Sequence, residues 1–227
     1  MSDMAVSWHV TMGADDETSA VFEPALSGRS GALVICAHGA GGHMNDAGML
    51  AVSKQLRGHG LQTVRFNFLY RERKASAPDP MPRLKQCYAA VADHARRSAQ
   101  PDILILGGRS MGGRVASMLA ADSYPCDGLL LLAYPLHPAG QPHKLRDAHL
   151  ERITVPVLCI NGTRDALCRR DLMEQVIGRL PDQWTMHWLE GADHGFHVLK
   201  TSGRSDSDVL AEVGEACGTW LAGEMQA

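Results

Sequence analysis

No run of this 227-residue chain approaches the ~20 consecutive apolar residues that a membrane-crossing helix needs, so no membrane span is expected. There is no excess of positive charge either. Twenty-two Lys and Arg stand against 25 Asp and Glu, a formal net charge of −3. The densest basic group, Arg71, Arg73 and Lys74, is interrupted by Glu72. That distribution gives no footprint for a nucleic-acid partner. The first eight residues have neither a basic start nor a long apolar core, which argues against a secretory leader. The six cysteines form no Cys-x-x-Cys pair, and two of them, Cys36 and Cys159, fall inside apolar runs. They read as reduced, buried thiols of a cytoplasmic protein. No two histidines have helical metal-ligand spacing with a carboxylate partner, and no Gly-x-x-x-x-Gly-Lys-Ser/Thr loop occurs. Neither a zinc site nor a phosphate cradle is expected, and no cofactor is called for.

What is present is a hydrophobic fraction of 45% arranged in alternating short runs. Residues 32–37, 61–68, 102–106, 128–133, 155–160 and 183–189 predict strands. Residues 47–59, 81–98, 115–121, 171–180 and 207–221 predict helices between and after them. Residues 8–12 and 18–23 predict a hairpin around an acidic turn. Such alternation indicates βαβ units and an α/β fold: a mostly parallel twisted sheet with helices on both faces, one domain over residues 1–227. The irregular stretch 134–152, with Pro135, Pro138, Gly140 and Pro142, is too long for an ordinary connection. It predicts a functional loop or a short helix over the sheet edge, with no room for a large cap domain.

The most informative segment is Gly108-Arg109-Ser110-Met111-Gly112. An apolar run precedes it and a helical pattern follows, so Ser110 sits at the apex of a strand–turn–helix, the context of a nucleophile elbow. Gly108 and Gly112 have no Cβ, which lets strand and helix close around the bend. A serine hydroxyl needs a base to attack at neutral pH. His194, in Gly191-Ala192-Asp193-His194-Gly195-Phe196, follows the last strand and is the candidate, with His197 the nearest rival. Asp165, after the strand ending at Ile160, is the candidate acid that orients the base. All three lie at carboxyl ends of strands, where open α/β sheets place their sites. Upstream, His38-Gly39-Ala40-Gly41-Gly42 is a turn able to aim N–H groups into a cleft. The N–H groups of Ala40 and Met111 are the expected oxyanion hole.

These four motifs, in this order and spacing, resemble the small serine α/β-hydrolases, close to the dienelactone-hydrolase-like and Tex30/KANSL3-like branch. The resemblance runs from about residue 33 to residue 220. It implies an α/β-hydrolase fold with Ser110 as nucleophile, His194 as base and Asp165 as acid, and it implies no substrate. Dienelactone hydrolases carry a cysteine where this chain has Ser110, which points away from that substrate.

The expected chemistry is hydrolysis of a carboxylic ester or related acyl compound through an acyl-enzyme. The expected partner is a small-molecule acyl substrate, with oligomeric state left open. Arg109 reads as a surface ion-pairing residue or, with Arg71 or Arg73, as a contact for an acidic substrate group. Tyr70 and Tyr134, with His137, are further candidates to line the cleft. A non-catalytic interaction protein on the same fold, and an acyltransferase or peptidase, stay open at this point.

Overall fold

The computed structural model describes residues 4–13, 16–28 and 30–224. Eight strands form one sheet in the order β1-β2-β4-β3-β5-β6-β7-β8. They are β1 (Val6–Thr11), β2 (Glu17–Glu23), β3 (Ala32–Ala37), β4 (Gln62–Phe66), β5 (Ile103–Arg109), β6 (Gly128–Leu132), β7 (Val157–Gly162) and β8 (Trp184–Leu189). The hairpin β1–β2 is antiparallel and joins β4 antiparallel; β4, β3, β5, β6, β7 and β8 are mutually parallel. Part of the hairpin's acidic turn, residues 14–15, lies outside the described residues. Among the described residues, six helices complete the fold: α1 (Ala47–Gly58), α2 (Leu69–Glu72), α3 (Met81–Ala99), α4 (Met111–Ala121), α5 (Arg170–Ile177) and α6 (Asp206–Glu224).

The strand sequences explain the layering. Every residue of β3, β6 and β7 is buried, as expected of parallel strands covered on both faces. Period-two alternation then divides β3 between two cores. Leu33, Ile35 and Ala37 join Leu84, Val91 and Val115 of α3 and α4. Ala32, Val34 and Cys36 join Val52 and Leu56 of α1 and Val209 and Val213 of α6. Each fully buried Leu or Val contributes roughly 1.5–3 kcal/mol. Among the described residues, no helix is long and apolar enough to cross a membrane.

Three of the boundaries that depart from the sequence reading have a local cause. The strand expected to reach residue 68 stops at Phe66, because the Phe68 N–H turns away to His38 Nε2 (3.2 Å) and the chain enters the four-residue helix α2. A single helical turn carries too little periodicity to be seen in sequence. Strand β5 runs on to Arg109, since Gly107, Gly108 and Arg109 keep pairing with Leu130, Leu131 and Leu132. Strand β7 begins at Val157, after Pro156, which has no N–H to donate. The segment 134–152 contains a 3-10 turn at Leu150–Arg152 and is otherwise irregular.

The topology reverses direction between β3 and β5, so their carboxyl ends open a crevice at the switch point. The contact there is very close. An ideal Cβ on Gly112 would stand 2.4 Å from the Ala37 carbonyl oxygen, and one on Gly108 would stand 2.7 Å from the same atom. Replacing Gly112 by Ala should therefore lower stability by about 3 kcal/mol, or roughly 6–12 °C in Tm. Gly58→Ala is the control, because nothing lies within 4 Å of its Cβ position near the end of α1. Thermal melts of the two variants check the contrast; equal melting points would contradict the packing described.

A buried histidine makes stability depend on pH. His149 shares a 2.8 Å hydrogen bond between Nε2 and the Ser117 hydroxyl. Burial, aided by the positive charges of Arg114 and Arg152 and opposed by Asp122 and Asp147, lowers its pKa to about 4. The folded state thus binds fewer protons than the unfolded state between pH ~4 and ~6.5, and stability falls as pH drops through that window. The change for one such group is at most about 2–3 kcal/mol. His149→Gln, which keeps a hydrogen-bonding end group, should flatten the slope of Tm against pH. An unchanged slope would show that His149 does not titrate in this way.

Candidate active site

Ser110 occupies the tip of the β5–α4 turn with φ +53° and ψ −116°, a conformation rare for a residue with a Cβ. Such strain costs on the order of 1–3 kcal/mol. It is held from both sides. The Ser110 N–H extends the β5–β6 ladder to Leu132 O (2.8 Å), and its carbonyl accepts the first helical bond from the Arg114 N–H (3.0 Å). The hydroxyl is thereby lifted off the sheet into the crevice.

His194 Nε2 lies 2.9 Å from Ser110 Oγ, and its Nδ1 lies 2.8 Å from Asp165 Oδ2. An ionised carboxylate only accepts, so Nδ1 carries the proton and Nε2 is free to accept from the serine hydroxyl. The Asp165 side chain is fully buried. Its carboxylate also accepts from the Leu167 N–H (2.7 Å) and from Asn161 Nδ2 (3.3 Å). Those bonds replace the water it has lost.

Two loops must abut for this to happen. An ideal Cβ on Gly162 would stand 2.2 Å from Ala192 O, so only glycine lets the turn before Asp165 meet the turn before His194. The Asp193 carboxylate then ties its own loop by accepting from the N–H groups of Gly195 (2.7 Å) and His197 (3.0 Å). His197, the rival base, is bonded to Asp206 and exposed.

The turn after β3 faces the serine from the other strand. An ideal Cβ on Gly39 would be 3.4 Å from the Ser110 Cβ. Among the described residues, the N–H groups of Ala40 and Met111 have no acceptor. Both residues line the cavity at Ser110. The turn is fixed from below. His38 is buried, with Nδ1 bonded to Gly39 O (2.7 Å) and Nε2 accepting from the Phe68 N–H. Burial lowers its pKa to about 4, which keeps it neutral and structural. The Tyr70 hydroxyl accepts from the Gly41 N–H (3.2 Å), and Asn67 Oδ1 accepts from the Met44 N–H (2.9 Å).

The expected substrate contacts need correcting at three of four positions. Tyr70 is buried beneath the Gly41 turn and supports it. Arg73 is drawn to the surface by Asp16, toward the β1–β2 hairpin. Tyr134 is fully buried, its hydroxyl donating to Arg146 O (2.7 Å). His137 is buried too, accepting from the Arg169 N–H at Nε2 (3.1 Å). Arg71 lies over the Tyr70 ring, 6.0 Å from its centroid. Arg109 does line the crevice, and its Nη2 donates to His194 O (3.0 Å) while the guanidinium lies 5.4 Å from the Phe196 ring centroid. It steadies the His194 loop as well as facing the cleft.

Ser110 stands between two lobes. One, of about 410 Å³, includes Asp46, Met49, Arg109 and His194. The other, of about 350 Å³, includes Met111, Arg114, Pro138 and Arg146. Sequence reasoning missed Asn161, Arg114 and Arg146. A signal existed for Arg114 alone, because four residues after a helix-capping serine is the same helix face. Among the described residues, no group of three His, Cys, Asp or Glu side chains is placed to hold a metal ion.

Comparison with known proteins agrees with this architecture. The profile of a family described as alpha/beta hydrolase domain matches residues 30–222. An α/β serine hydrolase homologue from Coxiella burnetii superposes with a TM-score of 0.75 at 20% identity, over 95% of this chain and 97% of that one. An α/β serine hydrolase without a lid from Xanthomonas campestris gives 0.73 at 20% identity, over 97% and 96%. Est1E from Butyrivibrio proteoclasticus, in a structure with ferulic acid bound, gives 0.76 at 16% identity, over 97% and 100%. At these identities the likeness concerns the fold.

Proposed function

The chain belongs to the alpha/beta hydrolase domain family, and from that membership and the contacts at Ser110 we propose that it is a serine hydrolase acting on carboxylic esters or related acyl compounds. The observation that carries the reading is the unbroken relay Ser110 Oγ–His194 Nε2–His194 Nδ1–Asp165 Oδ2, with separations of 2.9 and 2.8 Å. A scaffold that only binds partners has no use for a strained serine aligned with an imidazole oriented by a buried carboxylate.

The chemistry follows from the donors and acceptors. As Ser110 Oγ attacks the substrate carbonyl carbon, its proton passes to His194 Nε2. Asp165 holds the tautomer and stabilises the imidazolium that forms. The carbonyl oxygen becomes an oxyanion and takes hydrogen bonds from the N–H groups of Ala40 and Met111. These donors are fixed before reaction, so little reorganisation is needed. The tetrahedral centre collapses, the leaving oxygen takes the proton from His194, and an acyl-Ser110 ester remains. Water then gives a proton to His194, attacks the acyl carbon and releases the acid, restoring Ser110. The ferulic acid bound to Est1E is a small carboxylic acid, the class of product that hydrolysis of an acyl ester releases.

Active-site labelling tests the proposal. A fluorophosphonate probe should label the wild-type protein at Ser110, and Ser110→Ala should abolish labelling while lowering turnover of 4-nitrophenyl acetate by ~10⁴-fold or more. Asp165→Asn should lower kcat by ~10²–10⁴-fold with little change in KM, because it corrupts the tautomer and leaves binding intact. Well-folded wild-type protein that neither labels nor turns over short esters would refute the assignment.

A further inference from the structure

We propose that the lobe lined by Arg114 and Arg146 receives a carboxylate carried at the far end of the substrate's acyl chain, so that the preferred substrates are half-esters of dicarboxylic acids. This rests on the serine hydrolase reading and deepens it.

The two lobes beside Ser110 have different duties. A leaving group must take its proton from His194, so it belongs in the lobe that His194 lines. The acyl chain is left with the opposite lobe, the one that contains Arg114 and Arg146 and no acidic side chain. The charge pattern separates the lobes in the same sense. Asp46 lines the leaving-group side, and Arg109 on that side is already engaged by His194 O.

Arg114 has no ion pair and no side-chain hydrogen bond among the described residues. Its Nε is buried without an acceptor. Three other buried donors share that condition, on Arg71, Trp184 and Trp220, and none of them lines either lobe. An unbonded buried donor costs roughly 1–3 kcal/mol, more when charged, and a ligand acceptor removes the cost. Arg114 also sits in the first turn of α4, which carries no acidic residue, where the helix dipole is positive and a second cation is unfavourable.

Arg146 adds to that field. Its backbone is pinned on both sides: the N–H donates to Leu136 O (2.7 Å) and the carbonyl accepts from the Tyr134 hydroxyl (2.7 Å). Among the described residues, the guanidinium makes one hydrogen bond, from Nη1 to Pro135 O (3.3 Å). Burial and then the neighbouring charge of Arg114 lower its pKa, as expected for two cations close together without a counter-ion. Two guanidinium groups offer planar, bidentate donors, the geometry that suits a carboxylate. Arg114 lies one helical turn beyond Ser110, ~6 Å along the axis and on the same face of α4.

The test compares 4-nitrophenyl hydrogen adipate with its methyl-capped, uncharged counterpart. Wild-type kcat/KM should favour the acid at least ~10-fold at low salt, and the preference should shrink as ionic strength rises. In Arg114→Gln and Arg146→Gln the ratio of acid to capped ester should drop severalfold, and in the double variant it should approach one. Arg114→Lys should retain part of it. The wild-type ratio and its salt dependence stand even if a variant folds poorly. Equal turnover of both esters, or a preference that survives in a folded double variant, overturns the carboxylate assignment while fluorophosphonate labelling keeps the hydrolase reading intact. Absence of labelling together with no turnover of either ester overturns both.

Discussion

The site depends on one close approach. The backbone of Ala37, at the end of β3, runs against the first turn of α4 and the end of β5 with no room for a side chain at Gly108 or Gly112. That contact sets the distance between the two turns that face each other across the crevice. One carries Ser110 and Met111, the other Gly39 and Ala40. The strained backbone at Ser110 persists because the ladder to Leu132 and the first bond of α4 hold it from either side. Strain of this size survives only where the surroundings over-determine it. Here the surroundings are a parallel sheet packed on both faces.

A second layer of polar residues keeps the Gly39–Gly42 turn from collapsing. His38, Asn67 and Tyr70 each satisfy a backbone group at the turn or just beyond it. Arg65 reaches the same loop, donating to Asn45 Oδ1 (2.9 Å) while its Nε is paired with Glu23 Oε2 (2.9 Å). His38 directly follows β3, and the others come from the end of β4 and from α2. An N–H left without a partner can be aimed at a substrate only if the rest of its turn is satisfied. The polar groups under the turn achieve that without competing for the Ala40 N–H.

The parts legible in the sequence are those whose physics is local. Continuous apolar runs marked β3, β6 and β7 because both faces of a central parallel strand are buried. Gly108 and Gly112, flanking Ser110 between a strand and a helix, marked the elbow because no other residue fits there. The meeting of Asp165 and His194 was legible only as order along the chain; their contact depends on Gly162 allowing two loops to touch, which spacing does not reveal. The binding residues were the least legible. Tyr70, Arg73 and Tyr134 follow strand ends and Arg109 closes one, yet of the three that follow, two are buried and one is claimed by Asp16. Position after a strand says that a residue is near the crevice. Which way its side chain turns is decided by partners far away in sequence. Arg146, twelve residues beyond Tyr134 in an irregular segment, had no pattern to betray it.

Those distant partners also join the chemistry to the binding lobe. Asn161 accepts the Tyr134 N–H at Oδ1 (3.0 Å) and donates through Nδ2 both to Tyr134 O (3.1 Å) and to Asp165 Oδ2 (3.3 Å). Tyr134 in turn holds Arg146 by its carbonyl. One buried amide therefore fixes the orientation of the Asp165 carboxylate and the start of the segment that carries a cation to the other side of Ser110. The side-chain polar atoms of Asn161, Tyr134 and Asp165 along this path are all paired, and a fully satisfied buried network specifies one geometry. A shift of Asn161 cannot be confined to either end. It disturbs the carboxylate bonded to His194 and the loop that carries Arg146 together, so the two halves of the crevice are set by a common structural element instead of being independently adjustable.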